Sequence, residues 1–351
     1  MEATTSIAGR GRPRGTALAW KGHEMNKRAF GKTGVQVSDI SLGTWQLGGK
    51  WGAGYDERTA QATMEAAFEM GINFFDTADV YNGGESEKSI GRFLKGKQGQ
   101  VFVATKCGRQ INPHVAAGYT AQAVVKYTED SLRRLDVDCL DLTQLHCPPT
   151  DVFYKPEVFE ALQKLKKEGK IKHFGVSVER VEEGLKAMEY EGLASIQVIY
   201  NMFRQRPHEL LFPQAKQRGV AIIVRVPLAS GLLTGKFTRD SVFGKDDHRF
   251  FNRKGESFDK GETFSGVDYE LGLKAVEELK AIFGGDSLTL PALRWILMRD
   301  EVSCVITGAS RAEQIRQNVE ASGQPALSPE QMQAVKAVYD KYIRKPVHDL
   351  W

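Results

Sequence analysis

Residues 101–178 decide the fold: VFVATKCG (101–108), TAQAVVKYTEDSLRRL (120–135), CLDLTQLHCPP (139–149), PEVFEALQKLKKEGK (156–170) and IKHFGVSV (171–178). The first, third and fifth stretches are short apolar runs of strand length. The second and fourth carry apolar residues at helical spacing, with Thr120 placed to cap one helix and Pro156 to open the next. The alternation continues in both directions. Upstream lie VSDISLGTWQLGG (37–49), RTAQATMEAAFEMG (58–71), INFFDTADVY (72–81) and ESEKSIGRFLKG (85–96). Downstream lie VEEGLKAMEYEG (181–192), SIQVIYNMF (195–203), HELLFPQAKQRG (208–219), VAIIVRVPL (220–228), YELGLKAVEELKAIFG (269–284), SCVITGAS (303–310) and RAEQIRQNVEASG (311–323).

Counted out, the chain holds eight strand-then-helix units, with extra helices at PALRWILM (291–298) and SPEQMQAVKAVYDKY (328–342). Such alternation means a parallel sheet covered by helices, and eight right-handed units close most economically into a (β/α)8 TIM barrel. An open doubly wound sheet is the competitor, but no G-x-G-x-x-G follows any strand. The expected organisation is an α/β fold with one domain at 26–345 and accessory helices, a disordered extension at 1–25 and a C-terminal tail at 346–351.

Composition narrows the function classes. The 351 residues are 41% hydrophobic and 26% charged, which fits a folded globular chain and excludes wholesale disorder. Of the formal +4, residues 1–24 contribute +2 through Arg10, Arg12, Arg14 and Lys21 against Glu2 and Glu24, so the body is nearly neutral. That is a poor footprint for nucleic acid. The longest apolar candidate, VAIIV, is cut by Arg225, so no membrane span is expected. Cys107, Cys139, Cys147 and Cys304 form no C-x-x-C pair and read as free thiols in a reducing, cytoplasmic setting.

In such barrels the working residues sit at the C-terminal ends of the strands. Those ends carry Asp76 and Tyr81, then Lys106, then His146. A lysine inside an apolar strand needs an anion, and Asp76 on the neighbouring strand supplies one. The ammonium beside the phenol would lower the Tyr81 pKa and make it a better proton donor to a carbonyl oxygen. His146 would orient that oxygen. None of these groups supplies a reductant, so a cofactor must.

FDTADVYNGGESE (75–87), VATKCG (103–108), QLHCPP (144–149), GVSV (175–178), PLASGLLTGKF (227–237) and GASRAEQIRQN (308–318) together resemble the aldo-keto reductase superfamily. The resemblance implies a barrel enzyme that transfers hydride from NADPH to a small-molecule aldehyde or ketone. It implies Tyr81 as general acid, Lys106 and Asp76 as its support, and His146 as orienting residue. For the cofactor it implies Ser177 and Gln197 at the carboxamide. Gly43, Thr44, Trp45, Asp76, Arg225, Pro227, Leu228, Ser230, Gly231 and Lys236 would lie along the bound nucleotide. Gly308, Ala309, Ser310, Arg311, Gln314 and Asn318 would hold the adenosine and its 2′-phosphate. Independently of the resemblance, Ser310 and Arg311 open a helix directly after a strand, where free N–H groups and a guanidinium favour phosphate. Trp45, Trp51, Tyr81 and His146 are expected to wall the substrate.

Two positions depart from the family pattern. Arg225 stands where an aromatic residue often stacks on the nicotinamide, and Val178 where an Asn often follows the serine. Residues 235–268 are too long for a connector and suggest a lid; their Asp246-Asp247-His248-Arg249 run lacks metal-ligand spacing, and no metal is expected. Two alternatives stay open: a sugar or alcohol dehydrogenase running the reverse direction, and a regulatory subunit resembling potassium-channel β-subunits.

Overall fold

The computed structural model describes residues 24–48 and 54–351. A two-stranded hairpin, β1 (Lys27–Ala29) and β2 (Gln36–Ser38), precedes the barrel. Eight parallel strands follow: β3 (Ile40–Gly43), β4 (Phe74–Asp76), β5 (Phe102–Cys107), β6 (Leu140–His146), β7 (Ile171–Ser177), β8 (Leu193–Ile199), β9 (Ala221–Arg225) and β10 (Val302–Gly308). They pair in chain order, and β10 pairs with both β9 and β3, so the sheet closes. The (β/α)8 barrel expected from the alternation is the fold.

Helices cover the outside: α1 (Glu57–Glu69), α2 (Glu85–Leu94), α3 (Ala121–Leu135), α4 (Pro156–Lys167), α5 (Val181–Ala187) and α6 (Leu211–Arg218). A single turn, α7 (His248–Phe251), lies in the long loop. Then come α8 (Tyr269–Phe283), α9 (Thr289–Leu297), α10 (Ala312–Val319), α11 (Pro329–Val338) and α12 (Arg344–Val347). Thr120 caps α3 by accepting the Ala123 N–H at 3.1 Å, and Pro156 opens α4. A cap of this kind stabilises by about 1 kcal/mol.

Three features lie beyond the sequence reading. The run VSDISLGTWQLGG is two strands separated by Asp39, and only the second enters the barrel. The hairpin instead plugs the barrel floor: Phe30 meets Phe74 at 5.6 Å and Phe102 at 5.2 Å between ring centroids. The loop at 235–268 is ordered by α7 and by 3-10 turns at Lys260–Glu262 and Phe264–Gly266. Finally, residues 346–351 are folded. A 3-10 turn spans His348–Leu350, and Trp351 is buried, its indole N–H donating to Asp259 at 2.7 Å and its ring lying 3.9 Å from the Arg204 guanidinium. The 1–25 extension falls almost wholly outside the described residues; Met25 at its end packs into the core.

Candidate active site

The C-terminal mouth of the barrel opens into a cleft of about 1050 Å³. Strand register brings its chemistry together, because β4, β5 and β6 are neighbours and carry Asp76, Lys106 and His146 at or one residue before their C-terminal ends. Lys106 Nζ lies 2.5 Å from Asp76 Oδ1, donates to the Thr77 carbonyl at 2.8 Å and reaches Tyr81 Oη at 3.4 Å. Both members of the pair are buried, so a lone charge here would be costly and the pairing is obligatory. Asp76 Oδ2 accepts from Gln197 Nε2 at 2.8 Å, which fixes the carboxylate from its other side. Tyr81 is delivered by the turn Tyr81–Gly84, where Asn82, Gly83 and Gly84 all have positive φ and redirect the chain into α2. His146 meets the Tyr81 ring edge-on, with centroids 5.9 Å apart.

Protonation follows from burial. Burial is the largest influence on Tyr81 and raises its pKa; Lys106 pulls the other way but is offset by Asp76 beside it. This corrects the expected downward shift: an ammonium held 2.5 Å from a carboxylate acts as a dipole rather than as a free charge. Tyr81 therefore stays protonated at neutral pH. Burial depresses Lys106, yet Asp76 and Tyr81 outweigh it and keep the ammonium charged. His146 is held well below its usual value by burial and by Arg109, Lys106 and Arg225, so its imidazole is neutral.

Most residues expected along the cofactor and substrate line this cleft. They are Gly43, Thr44, Trp45, Asp76, Tyr81, His146, Gln197, Arg225, Pro227, Leu228, Ser230, Gly231, Lys236, Gly308, Ser310 and Gln314. Lys106 lies behind the wall. Ser177 is buried, its hydroxyl 3.3 Å from Cys147 Sγ, and Thr44 is tied to the Asp76 carbonyl at 2.9 Å. Ala309 and Asn318 are buried beside the strand end, with Asn318 Nδ2 3.5 Å from the Gly308 carbonyl. Arg311 is exposed at the N-cap of α10. Trp51 lies outside the described residues. Ser230 also binds the long loop, donating to the Glu262 carbonyl at 3.0 Å and accepting the Phe264 N–H at 3.1 Å.

Arg225, on the cleft lining, is held by neighbouring groups. Its Nη2 donates to the Val178 carbonyl at 3.1 Å and lies 2.9 Å from Glu179 Oε2. Glu262, from the long loop, sits 2.5 Å from Arg109 and 3.9 Å from Arg225. Sequence reasoning missed this four-residue cluster. Arg109 and Glu179 were within reach of it, since each lies two or three residues past a strand-end residue already singled out. Glu262 carried no such signal, because its place depends on how a long loop folds back. Of the Asp246–Arg249 run, Asp247 caps α7 and pairs with Arg249 at 2.5 Å, while His248 packs 5.0 Å from Trp45. Among the described residues, Cys147, Glu179 and Glu262 come close enough to share an ion, but two guanidinium groups already supply their countercharge.

A phenol backed by a buried ammonium–carboxylate pair at a barrel mouth can hand over a proton, and with a hydride partner such a site would serve an oxidoreductase. The chain belongs to the aldo/keto reductase family, whose model matches residues 39–340. It is 32% identical over 326 residues to the aldo-keto reductase YhdN of Bacillus subtilis (strain 168), covering 92% of this chain and 96% of that one. It is 30% identical to the NADH-specific methylglyoxal reductase of Escherichia coli (strain K12), covering 85% and 93%. The solved holo form of aldo-keto reductase AKR11C1 from Bacillus halodurans matches with a TM-score of 0.72 at 29% identity, covering 90% of this chain and 96% of that one. No helix among the described residues is long and apolar enough to cross a membrane.

Proposed function

We propose that this oxidoreductase is a cytoplasmic enzyme that reduces a small aldehyde or ketone to its alcohol using NADPH. The observation that carries the reading is the convergence of Tyr81, Lys106, Asp76 and His146 on one point of the cleft. The residues fit a dinucleotide: Gln197, Arg225, Lys236, Ser310 and Gln314 all line one cleft, with Arg311 exposed at the start of α10. When bound, the nicotinamide supplies the hydride. Tyr81 then donates its phenolic proton to the carbonyl oxygen as negative charge develops there. Lys106 stabilises the phenolate left behind, and Asp76 keeps Lys106 charged and aimed. Neutral His146 offers one N–H toward the same oxygen without competing as an acid. Trp45 walls the substrate side.

A panel of aldehydes and ketones assayed with NADPH and NADH side by side tests the reading. The expected result is turnover with a higher kcat/KM for NADPH. Tight binding of NADPH with no carbonyl reduced would favour a regulatory role instead. Arg311→Ala is expected to raise KM for NADPH about tenfold, the loss of one charge-assisted hydrogen bond, and to change KM for NADH less than about twofold. Equal weakening of both cofactors would show that Arg311 does not read the 2′-phosphate.

A further inference from the structure

Beside Arg225 the structure holds a group of charges that the proton-transfer chemistry does not use. Glu179, two residues past the end of β7, and Glu262, from the long loop, are held together with Cys147, their ligand atoms all within 4.8 Å of one another. Both carboxylate oxygens of Glu179 are buried and neither accepts an aligned hydrogen bond. The Arg225 N–H groups nearest to it are directed at the Val178 carbonyl and at Cys147 Sγ instead. Glu262 is the better served of the two, with Arg109 at 2.5 Å. Two buried carboxylates this close, one lacking aligned donors, compete for the charge of Arg109 and Arg225, and a proton on the pair relieves that competition.

We propose that Glu179 and Glu262 share one proton, and that its presence or loss decides whether the cleft favours the reduced or the oxidised nicotinamide. The proposal rests on the reading of the cleft as a nicotinamide site. With the proton in place, Arg109 and Arg225 face a single negative charge, and the wall of the cleft is net positive. That field disfavours the cationic oxidised ring relative to the neutral reduced one. Loss of the proton brings the wall to neutrality and removes the bias. The direction of the paired ionisations agrees: burial is the main influence raising Glu179, with Glu262 adding to it, whereas Arg109 and Arg225 overcome burial at Glu262 and hold it low.

The other groups facing the pair are accounted for. Arg225 comes from β9, Arg109 from the turn after β5, and Cys147 from the end of β6. Arg204, Asp259 and His248 act from the loops behind. Asp259 is committed to Trp351, and His248 is held neutral by burial at about 4. Cys147 is pushed up to about 12 by burial, so it stays a thiol across the range that matters.

The test is binding, not turnover. Dissociation constants for NADP+ and NADPH are measured by fluorescence titration from about pH 6.5 to about pH 9.5. Their ratio is used because ionisation of the shared 2′-phosphate cancels in it. In the unaltered protein the ratio of Kd for NADP+ to Kd for NADPH is expected to fall about tenfold across this range, the effect of one unit charge near the ring. In Glu179→Gln it is expected to stay within about twofold of the low-pH value, since the amide mimics the protonated acid. A flat ratio in the unaltered protein overturns the proposal, and so does a slope that survives in Glu179→Gln. Infrared titration gives a second reading: a protonated-carboxyl band that disappears on raising the pH and is missing from Glu179→Gln. Its absence from the unaltered protein would also overturn the proposal. Failure of both nucleotides to bind at any pH would instead strike at the reading of the cleft.

Discussion

Replacing Tyr81 by phenylalanine is expected to lower kcat for carbonyl reduction by about 10²- to 10⁴-fold while leaving the Kd for NADPH within about twofold. The substitution removes one oxygen and little else. The ring keeps its edge contact with His146 and its position 5.1 Å from the Lys106 ammonium. What disappears is the hydroxyl 3.4 Å from Lys106 Nζ, and with it the proton proposed to pass to the carbonyl oxygen. Because burial raises the Tyr81 pKa, the unaltered enzyme should hold its reduction rate flat through neutral pH rather than lose it there. The variant should show a low rate with no pH dependence of its own from this group. A kcat close to that of the unaltered enzyme would remove Tyr81 from the role of acid. Loss of NADPH binding together with rate would mean the phenol positions the cofactor instead.

How much of this was legible in the sequence depends on the range of the interaction. The barrel was readable because each βα unit announces itself locally, through an apolar run followed by helical spacing. Asp76, Tyr81, Lys106 and His146 were readable because strand ends of a barrel all open on one face, so local position converts directly into shared location. The hairpin at 27–38 was not readable. Its strands are three residues each, and they are held by packing Phe30 onto Phe74 and Phe102, contacts that span the length of the floor. The fate of Arg225 was half legible. Its place at the end of β9 followed from the pattern, but its partners did not. One of them, Glu262, arrives from a loop whose course is fixed by Trp351, some ninety residues away. Gly261 and Gly266 show how tight that clamp is: a Cβ at either would come within 2.8 Å and 2.4 Å of the Trp351 ring. The sign of the Tyr81 shift failed for the same reason, since it turns on burial and on how completely Asp76 neutralises Lys106.

The largest stability effect should come from Asp76→Asn. The variant keeps the shape of the side chain and strips the countercharge from an ammonium that is 1% exposed. Breaking a buried pair in this way costs about 3–5 kcal/mol, which equilibrium urea unfolding at pH 6 would read as a lower midpoint. The loss should depend on pH with a definite sign. Without Asp76, burial dominates and pulls the Lys106 pKa below its value in the unfolded chain. Over the interval between those two values the folded state binds fewer protons than the unfolded one, so stability rises with pH there. The variant should therefore regain midpoint as the pH is raised toward about 10, a trend the paired lysine of the unaltered protein would not produce. A second substitution separates charge from shape. Adding Lys106→Met to Asp76→Asn removes the stranded ammonium and should recover most of the lost midpoint at pH 6. Activity should not return with it, because the phenolate of Tyr81 would then have no cation to stabilise it. An Asp76→Asn protein as stable as the unaltered one at pH 6 would mean that water reaches Lys106 and that the pair is not a buried unit. Recovery of turnover in the double variant would show that Tyr81 delivers its proton unaided.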